Sequence, residues 1–202
     1  MGRRIMVVGN GQIEAGIGNR IDAADLVVRF NDCRSFGAGG VKTSIVAVCN
    51  TGRPGKRMLE EKDWRENRAV LEADAIWGVR DPEKFSAMRG VLATTHPELD
   101  DFCDDYTDGF IEFCRSSDKQ FHGISAATYD QVDDLLAQYR PVPYVTPSSG
   151  AIVVAELLNN HCQNDDELTI AGFSHEGWEW HPWQAEKAWM DALASSGRLK
   201  RL

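Results

Sequence analysis

Ile5-Met6-Val7-Val8-Gly9-Asn10-Gly11 decides how the rest of the chain is read. Four consecutive apolar residues suit a strand buried on both faces, as in a parallel sheet. The Gly-Asn-Gly break that follows is a sharp turn. A second run, Asp25-Leu26-Val27-Val28-Arg29-Phe30-Asn31, also ends in asparagine. In open α/β sheets, ligands sit beyond the carboxyl ends of such strands. Gly9 and Gly11 let the backbone approach a ligand closely. Asn10 and Asn31 offer amides with donors and acceptors at that edge. Two readings stand at this point: the rim of a nucleotide pocket, or an ordinary strand-to-helix turn that uses asparagine for its tolerance of left-handed backbone.

The dinucleotide fingerprint wants a third glycine three positions after Gly11, where this chain has Glu14. A Gly-Lys-Ser/Thr phosphate loop is also missing, so NAD and ATP are disfavoured. Further strand-like runs are Ser44 to Cys49, Ala75 to Arg80, Pro143 to Val145 and Leu168 to Phe173. Helical patterns separate them, over roughly 57–73, from Pro82 onward, over Pro97 to Arg115, over Ser125 to Tyr139, after Gly150, and from about Pro182 to Ser195. Asp81, Pro82 and Glu83 make a helix start, with a capping aspartate and proline in the first turn. The alternation predicts one Rossmann-like three-layer α/β/α domain over residues 1–202, with a mainly parallel sheet.

The net charge of −9 argues against a general nucleic-acid binder, while leaving room for a local basic pocket around Arg29 or Arg34. No apolar stretch is long enough to span a membrane. Met1-Gly2-Arg3-Arg4 lacks a signal peptide's apolar region, so a cytoplasmic location is expected. The five cysteines have no paired spacing and read as reduced thiols. Five aspartates between Asp100 and Asp108 lack EF-hand spacing and read as a solvated face.

Two stretches carry candidate chemistry. Thr146-Pro147-Ser148-Ser149-Gly150 lies where a strand gives way to a helix. The unpaired first-turn N–H groups and the serine hydroxyls make an anion site there; plain N-capping is the other reading. His175-Glu176-Gly177-Trp178-Glu179-Trp180-His181-Pro182-Trp183-Gln184-Ala185-Glu186 is rich in histidine, tryptophan and glutamate. His181 suits general-base work. A metal site using His175, His181 and a glutamate matches no common zinc spacing, and a packed aromatic loop is the third reading. No residue is assigned as a metal ligand, and no cofactor is expected.

Taken in order, these pieces resemble the animal-type sialyltransferase family, glycosyltransferase family 29. The large motif is met by Val7-Val8-Gly9-Asn10, Ile21-Asp22 and Asp25 to Asn31. The small motif is met by Pro147-Ser148-Ser149-Gly150, Cys162, Asp165-Asp166-Glu167 and Gly172-Phe173. His181 and Glu186 meet a final H-x4-E motif. The resemblance implies that Gly9, Asn10, Gly11 and Asn31 contact the cytidine monophosphate part of a CMP-sugar, and that Ser148, Ser149 and Gly150 hold its phosphate and ribose. It makes His181 the base that deprotonates an acceptor hydroxyl, with inversion, places Glu186 beside it, and leaves His175, or the Trp178 to Trp180 stretch, to stand in for a missing aromatic-histidine motif. A CMP leaving group carries less charge than a nucleoside diphosphate, so helix-end amides can replace a metal ion. Consistently, the chain has no Asp-x-Asp. The family's cysteine partner for Cys162 is replaced by Ile5 or Met6, as suits a reducing cytoplasm. The partners implied are a nucleotide sugar and an acceptor, with neither nucleic acid nor a membrane span.

A second resemblance is to short bacterial proteins named urease operon accessory proteins. It keeps open a nickel-handling or partner-binding role for the His-Glu-rich loop, without catalysis.

Overall fold

The computed structural model describes residues 2–202. The strands are β1 (Arg4–Val8), β2 (Leu26–Phe30), β3 (Ile45–Val48), β4 (Ala75–Gly78), β5 (Gln120–Gly123), β6 (Glu167–Ala171) and β7 (Lys200–Arg201). They form one seven-stranded sheet in the order β5-β4-β3-β2-β1-β6-β7. Every pairing is parallel. The helices are α1 (Gly18–Asp22), α2 (Gly52–Glu60), α3 (Lys62–Arg65), α4 (Arg68–Glu72), α5 (Pro82–Thr95), α6 (Thr107–Ser116), α7 (Ala126–Ala137), α8 (Ser149–Glu156) and α9 (Trp183–Ser195).

Strand alternation sends side chains to both faces, and both are covered. Val7, Val28, Ala47, Trp77 and Ile170 pack with residues of α5, α7, α8 and α9. Val46, Val48 and Ile76 face Met58, Trp64, Val70 and Phe110 from α2, α3, α4 and α6. Met6, Val8 and Val27 meet Ile21 of α1. This is the predicted three-layer arrangement. Two-sided burial explains why the inner strands are continuous apolar runs.

The strand order locates the site. From β1 the chain steps outward through β2, β3 and β4 to β5, then returns to lay β6 on the other side of β1. The turns after β1 and β6 therefore open a crevice at the switch point, where parallel sheets accept ligands.

Several expected boundaries differ. The single helix over roughly 57–73 is three short ones, broken at Glu61, which is extended (ψ 127°), and at Asn67, whose side chain caps Ala69. The stretch Pro97 to Arg115 holds a 3-10 turn at Pro97–Leu99 and then α6. Between them Thr51 bridges Asp105, and Tyr106 N–H donates to Asn50 O at 2.9 Å, which pulls the backbone out of helix. The aspartates there are paired: Asp100 and Asp101 with Arg53, and Asp104 with Arg89. Pro143 to Val145 is not a strand. Proline cannot donate to a ladder, and Val145 N–H reaches instead to Trp180 O at 3.0 Å. Strands β5 and β7 were not expected. All five cysteines are free thiols. Among the described residues, no helix is long and apolar enough to cross a membrane.

Candidate active site

A cleft of about 550 Å³ opens at the switch point. Gly9, Asn10, Gly11, Asn31, Ser148, Ser149, Gly150, His175 and His181 all line it. The sequence reading named each of these residues, and the fold brings them together from four separate turns.

The glycines have a specific cause. A Cβ on Gly9 would lie 2.4 Å from Gly172 O, and one on Gly11 2.7 Å from the same oxygen. The two turns are stitched by Gly9 N–H to Ala171 O at 2.8 Å and Gly11 N–H to Gly172 O at 3.0 Å. The close approach these glycines permit is thus to the neighbouring turn. Gly150 is small for a similar reason: a Cβ there would meet the Phe173 ring at 2.7 Å.

Asn10 ties the turn after β1 to the turn after β2. Its Nδ2 donates to Phe30 O at 3.1 Å, and its Oδ1 accepts from Arg34 N–H at 3.0 Å. Asn31 takes a left-handed backbone (φ 47°), a conformation asparagine tolerates. Its Oδ1 accepts from Cys49 N–H at 2.9 Å, fixing the amide so that the Nδ2 donors are the opposite end. Exposed Arg34 adds a cation to the cleft wall. Arg29 does not. It is fully buried and donates to Lys42 O, Thr43 Oγ1, Ser35 Oγ, Gly39 O and Gly40 O, so it braces the 35–43 loop.

Ser148 is the N-cap of α8, with Oγ accepting from Ala151 N–H at 3.2 Å. Its hydroxyl proton goes to Glu186 Oε2 at 2.5 Å, and its N–H to Glu186 Oε1 at 2.6 Å. Of the two readings of this stretch, N-capping is met by Ser148. With Ala151 N–H taken by the cap, the Ser149 hydroxyl and the Ser149 and Gly150 N–H groups remain at the positive end of the helix. The Ser149 hydroxyl lies 3.3 Å from Cys49 Sγ. Glu186 does not line the cleft. It is completely buried behind Ser148, and burial pushes its pKa up to about 7 against the lowering effect of the two Ser148 bonds. Both of its oxygens bond Ser148, a geometry that holds the start of α8 in place.

His181 precedes α9. Its Nδ1 lies 2.7 Å from Thr146 O, an acceptor only, so Nδ1 carries the proton and Nε2 the lone pair. Trp178 and Trp183 pack edge-on against the ring, with centroids 4.8 and 4.9 Å away. Burial drives its pKa down to about 4, opposed by the Thr146 carbonyl and assisted by the charge of Arg80. The imidazole is neutral at pH 7. His175 also has a left-handed backbone (φ 51°), and its Nε2 faces two Arg201 nitrogens at 3.2 Å. Burial and the Arg201 charge lower its pKa to about 4. A cation on that Nε2 would meet the guanidinium, so the His175–His181 metal reading loses its support.

The aromatic loop both packs and lines. Trp178 stacks on Phe102 at 5.4 Å, and Trp180 meets His96 at 4.3 Å, while Trp178 and Trp183 also face the cleft. The sequence reading did not name Cys49 or Phe173 as part of the site. Cys49 directly follows β3 and Phe173 is the second residue after β6, and that position was the available signal.

No protein-family model matches the chain. The urease operon 23 kDa accessory protein of Rhizobium meliloti (strain 1021) is 52% identical over 201 residues, covering 100% of this chain and 93% of that protein. A mammalian sialyltransferase structure superposes with a TM-score of 0.57 at 20% identity, over 100% of this chain and 69% of that one. The sialyltransferase CstII from Campylobacter jejuni, in complex with cytidine-5'-monophosphate, gives 0.53 at 14% identity, over 99% and 79%. At these identities the structural likeness is one of fold.

Proposed function

We propose that this chain, which belongs to the family of the urease operon 23 kDa accessory protein, transfers a sugar from a CMP-activated donor to an acceptor hydroxyl. The observation that carries the reading is the joining, in one switch-point cleft, of a helix N-terminus with a neutral imidazole whose lone pair is fixed on Nε2.

In this reading the donor phosphate rests on the Ser149 and Gly150 N–H groups of α8 and the Ser149 hydroxyl, with Arg34 at the rim. The Asn31 amide and the turn after β1 hold the cytidine. The acceptor oxygen attacks the anomeric carbon from the face opposite the phosphate. The new C–O bond forms as the bond to the CMP oxygen breaks, and the hydroxyl proton passes to His181 Nε2. Thr146 O, already bonded to Nδ1–H, stabilises the imidazolium that results. The helix dipole stabilises charge developing on the departing phosphate. Glu186 keeps Ser148, and so the start of α8, in place. The Trp178 and Trp183 walls exclude water from the activated sugar.

The test is calorimetric titration with CMP, using UDP and NAD as controls, followed by turnover with CMP-sugars. CMP should bind selectively, and Asn31→Ala should weaken it. His181→Ala should lower transfer by about 10²–10⁴-fold, the usual scale for loss of a general base, with CMP affinity unchanged. Full turnover in His181→Ala would reject the base assignment.

The name of the Rhizobium relative favours a second reading, a non-catalytic accessory protein on the same scaffold. It predicts no turnover of any CMP-sugar and a cleft that does not discriminate cytidine nucleotides.

A further inference from the structure

Away from the cleft, α8 ends in a charge that the proposed chemistry does not use. Glu156 closes the apolar run Ala151 to Ala155 and is 3% exposed. Its Oε1 faces two imidazoles, His122 Nε2 at 3.0 Å and His161 Nε2 at 3.3 Å. Its Oε2 is taken by Thr128 Oγ1 at 2.7 Å and Asn160 Nδ2 at 2.9 Å. Burial opposes ionisation of Glu156, but the bonds from Thr128, His122 and Asn160 outweigh it and hold the carboxyl below its usual range.

We infer that His122, Glu156 and His161 form a binding site for a divalent first-row transition cation, through two imidazole nitrogens and one carboxylate oxygen. The three ligand atoms lie within 4.8 Å of one another. A tetrahedral cation with bonds of about 2.0–2.2 Å wants ligand separations of roughly 3.3–3.5 Å. The two nitrogen–oxygen distances are already near that value. The nitrogen–nitrogen distance closes by rotation of the imidazoles, whose side chains are 39% and 36% exposed.

Three features pre-arrange the set. Thr128 and Asn160 occupy Oε2, so Oε1 is the coordinating oxygen, with its orientation fixed from behind. Trp77 packs on both rings, with centroids 4.9 and 4.8 Å away, and the two imidazoles stand at 86° to each other. The helix leaves α geometry at this point. Residues Leu157–His161 form a π-helical turn, whose wider winding brings the fifth residue after Glu156 onto the carboxylate's face. His122 arrives from β5, in register with Trp77. Two nitrogens and one oxygen suit zinc, nickel or cobalt over magnesium or calcium. Metal entry turns each Nε2 from donor to ligand, moving its proton to Nδ1 or to solvent, and leaves a fourth position open to water. The site lies about 10 Å along α8 from Ser149, so it does not depend on the nucleotide reading.

The full chain, stripped of metal, should take up one Zn²⁺ in calorimetric titration and leave Mg²⁺ unbound. His122→Ala and His161→Ala should each abolish saturable uptake, whereas His175→Ala and His181→Ala should retain it. Glu156→Gln should weaken Zn²⁺ by at least about tenfold, the loss typical of outer ligand partners alone. Uptake that survives His122→Ala and His161→Ala, or no saturable uptake by the intact chain, overturns the assignment. Should the variants fail to fold, a Zn²⁺-soaked crystal of the unaltered protein decides: an anomalous peak bonded to the three named atoms supports the site, and a peak elsewhere or none overturns it.

Discussion

Glu186 and His181 are displaced in opposite directions by the same cause. Burial disfavours the charged form of each, so the carboxyl rises to about 7 and the imidazole falls to about 4. The consequences for stability are opposite too. For Glu186 the folded value lies above the ordinary 4.5, so its contribution is full below pH 4.5 and is lost as pH rises through 7. For His181 the folded value lies below 6.5, so its contribution is present above pH 6.5 and lost as pH falls through 4. Comparing Glu186→Gln with the unaltered protein cancels the histidine, which both share. From pH 5 to pH 8 the variant should gain on the parent by an amount on the order of 2 kcal/mol in urea unfolding. An unchanged difference between the two pH values would mean that Glu186 ionises as readily folded as unfolded. A sequence does not reveal this. H-x4-E places His181 and Glu186 near each other along the chain, but only the packing of α9 decides that the carboxylate ends up behind Ser148.

At the scale of elements, the turns after β1 and β6 behave as one unit. Gly9 and Gly11 are glycines because Gly172 O passes within 3 Å of where their Cβ atoms would be. Gly9→Ala must separate two backbones, with no flexible side chain to yield, and should cost roughly 2–3 kcal/mol or more. Gly150→Ala meets only the Phe173 ring, which can turn, and should cost less. Thermal unfolding of the two variants ranks them, and a milder Gly9→Ala would contradict the backbone argument. The inner strands β1, β2, β3, β4 and β6 were legible because two-sided burial writes a dense apolar run into each. Strand β5 was not, because the edge strand Gln120-Phe121-His122-Gly123 is only half-covered and carries no such run. Nor was the break at 104–106, which depends on pairing with Asn50 and Thr51, distant in sequence. The His122–Glu156–His161 cluster was hidden for the same reason. One histidine is 34 residues from the glutamate, and the other comes into reach through a π turn that side-chain periodicity does not signal.

At the scale of the molecule, the cleft exists because the chain reverses direction across the sheet at β1. One wall belongs to the outward half, through Asn10, Asn31 and Arg34. The other belongs to the returning half, through Ser149, Gly150, His175 and His181. The turn residues that line both walls were legible because Gly-Asn-Gly after an apolar run marks a strand's carboxyl end, and Pro-Ser-Ser-Gly before an apolar run marks a helix start. Which ends become neighbours follows from the strand order, which composition does not encode. A nucleotide that binds the folded cleft and not the unfolded chain would add its binding energy to global stability. At a hundred times its dissociation constant a ligand contributes about 2.7 kcal/mol. For a chain of this size each kcal/mol raises the melting temperature by about 2–4 °C. Saturating CMP should therefore raise the midpoint by roughly 5–10 °C, with no comparable shift from NAD at the same concentration. In Asn31→Ala the shift at that CMP concentration, measured from the variant's own ligand-free midpoint, should shrink; that midpoint falls too, because Cys49 N–H loses its acceptor. An equal shift in Asn31→Ala would place cytidine recognition elsewhere on the rim, and no shift in the unaltered protein would leave the cleft without its proposed ligand.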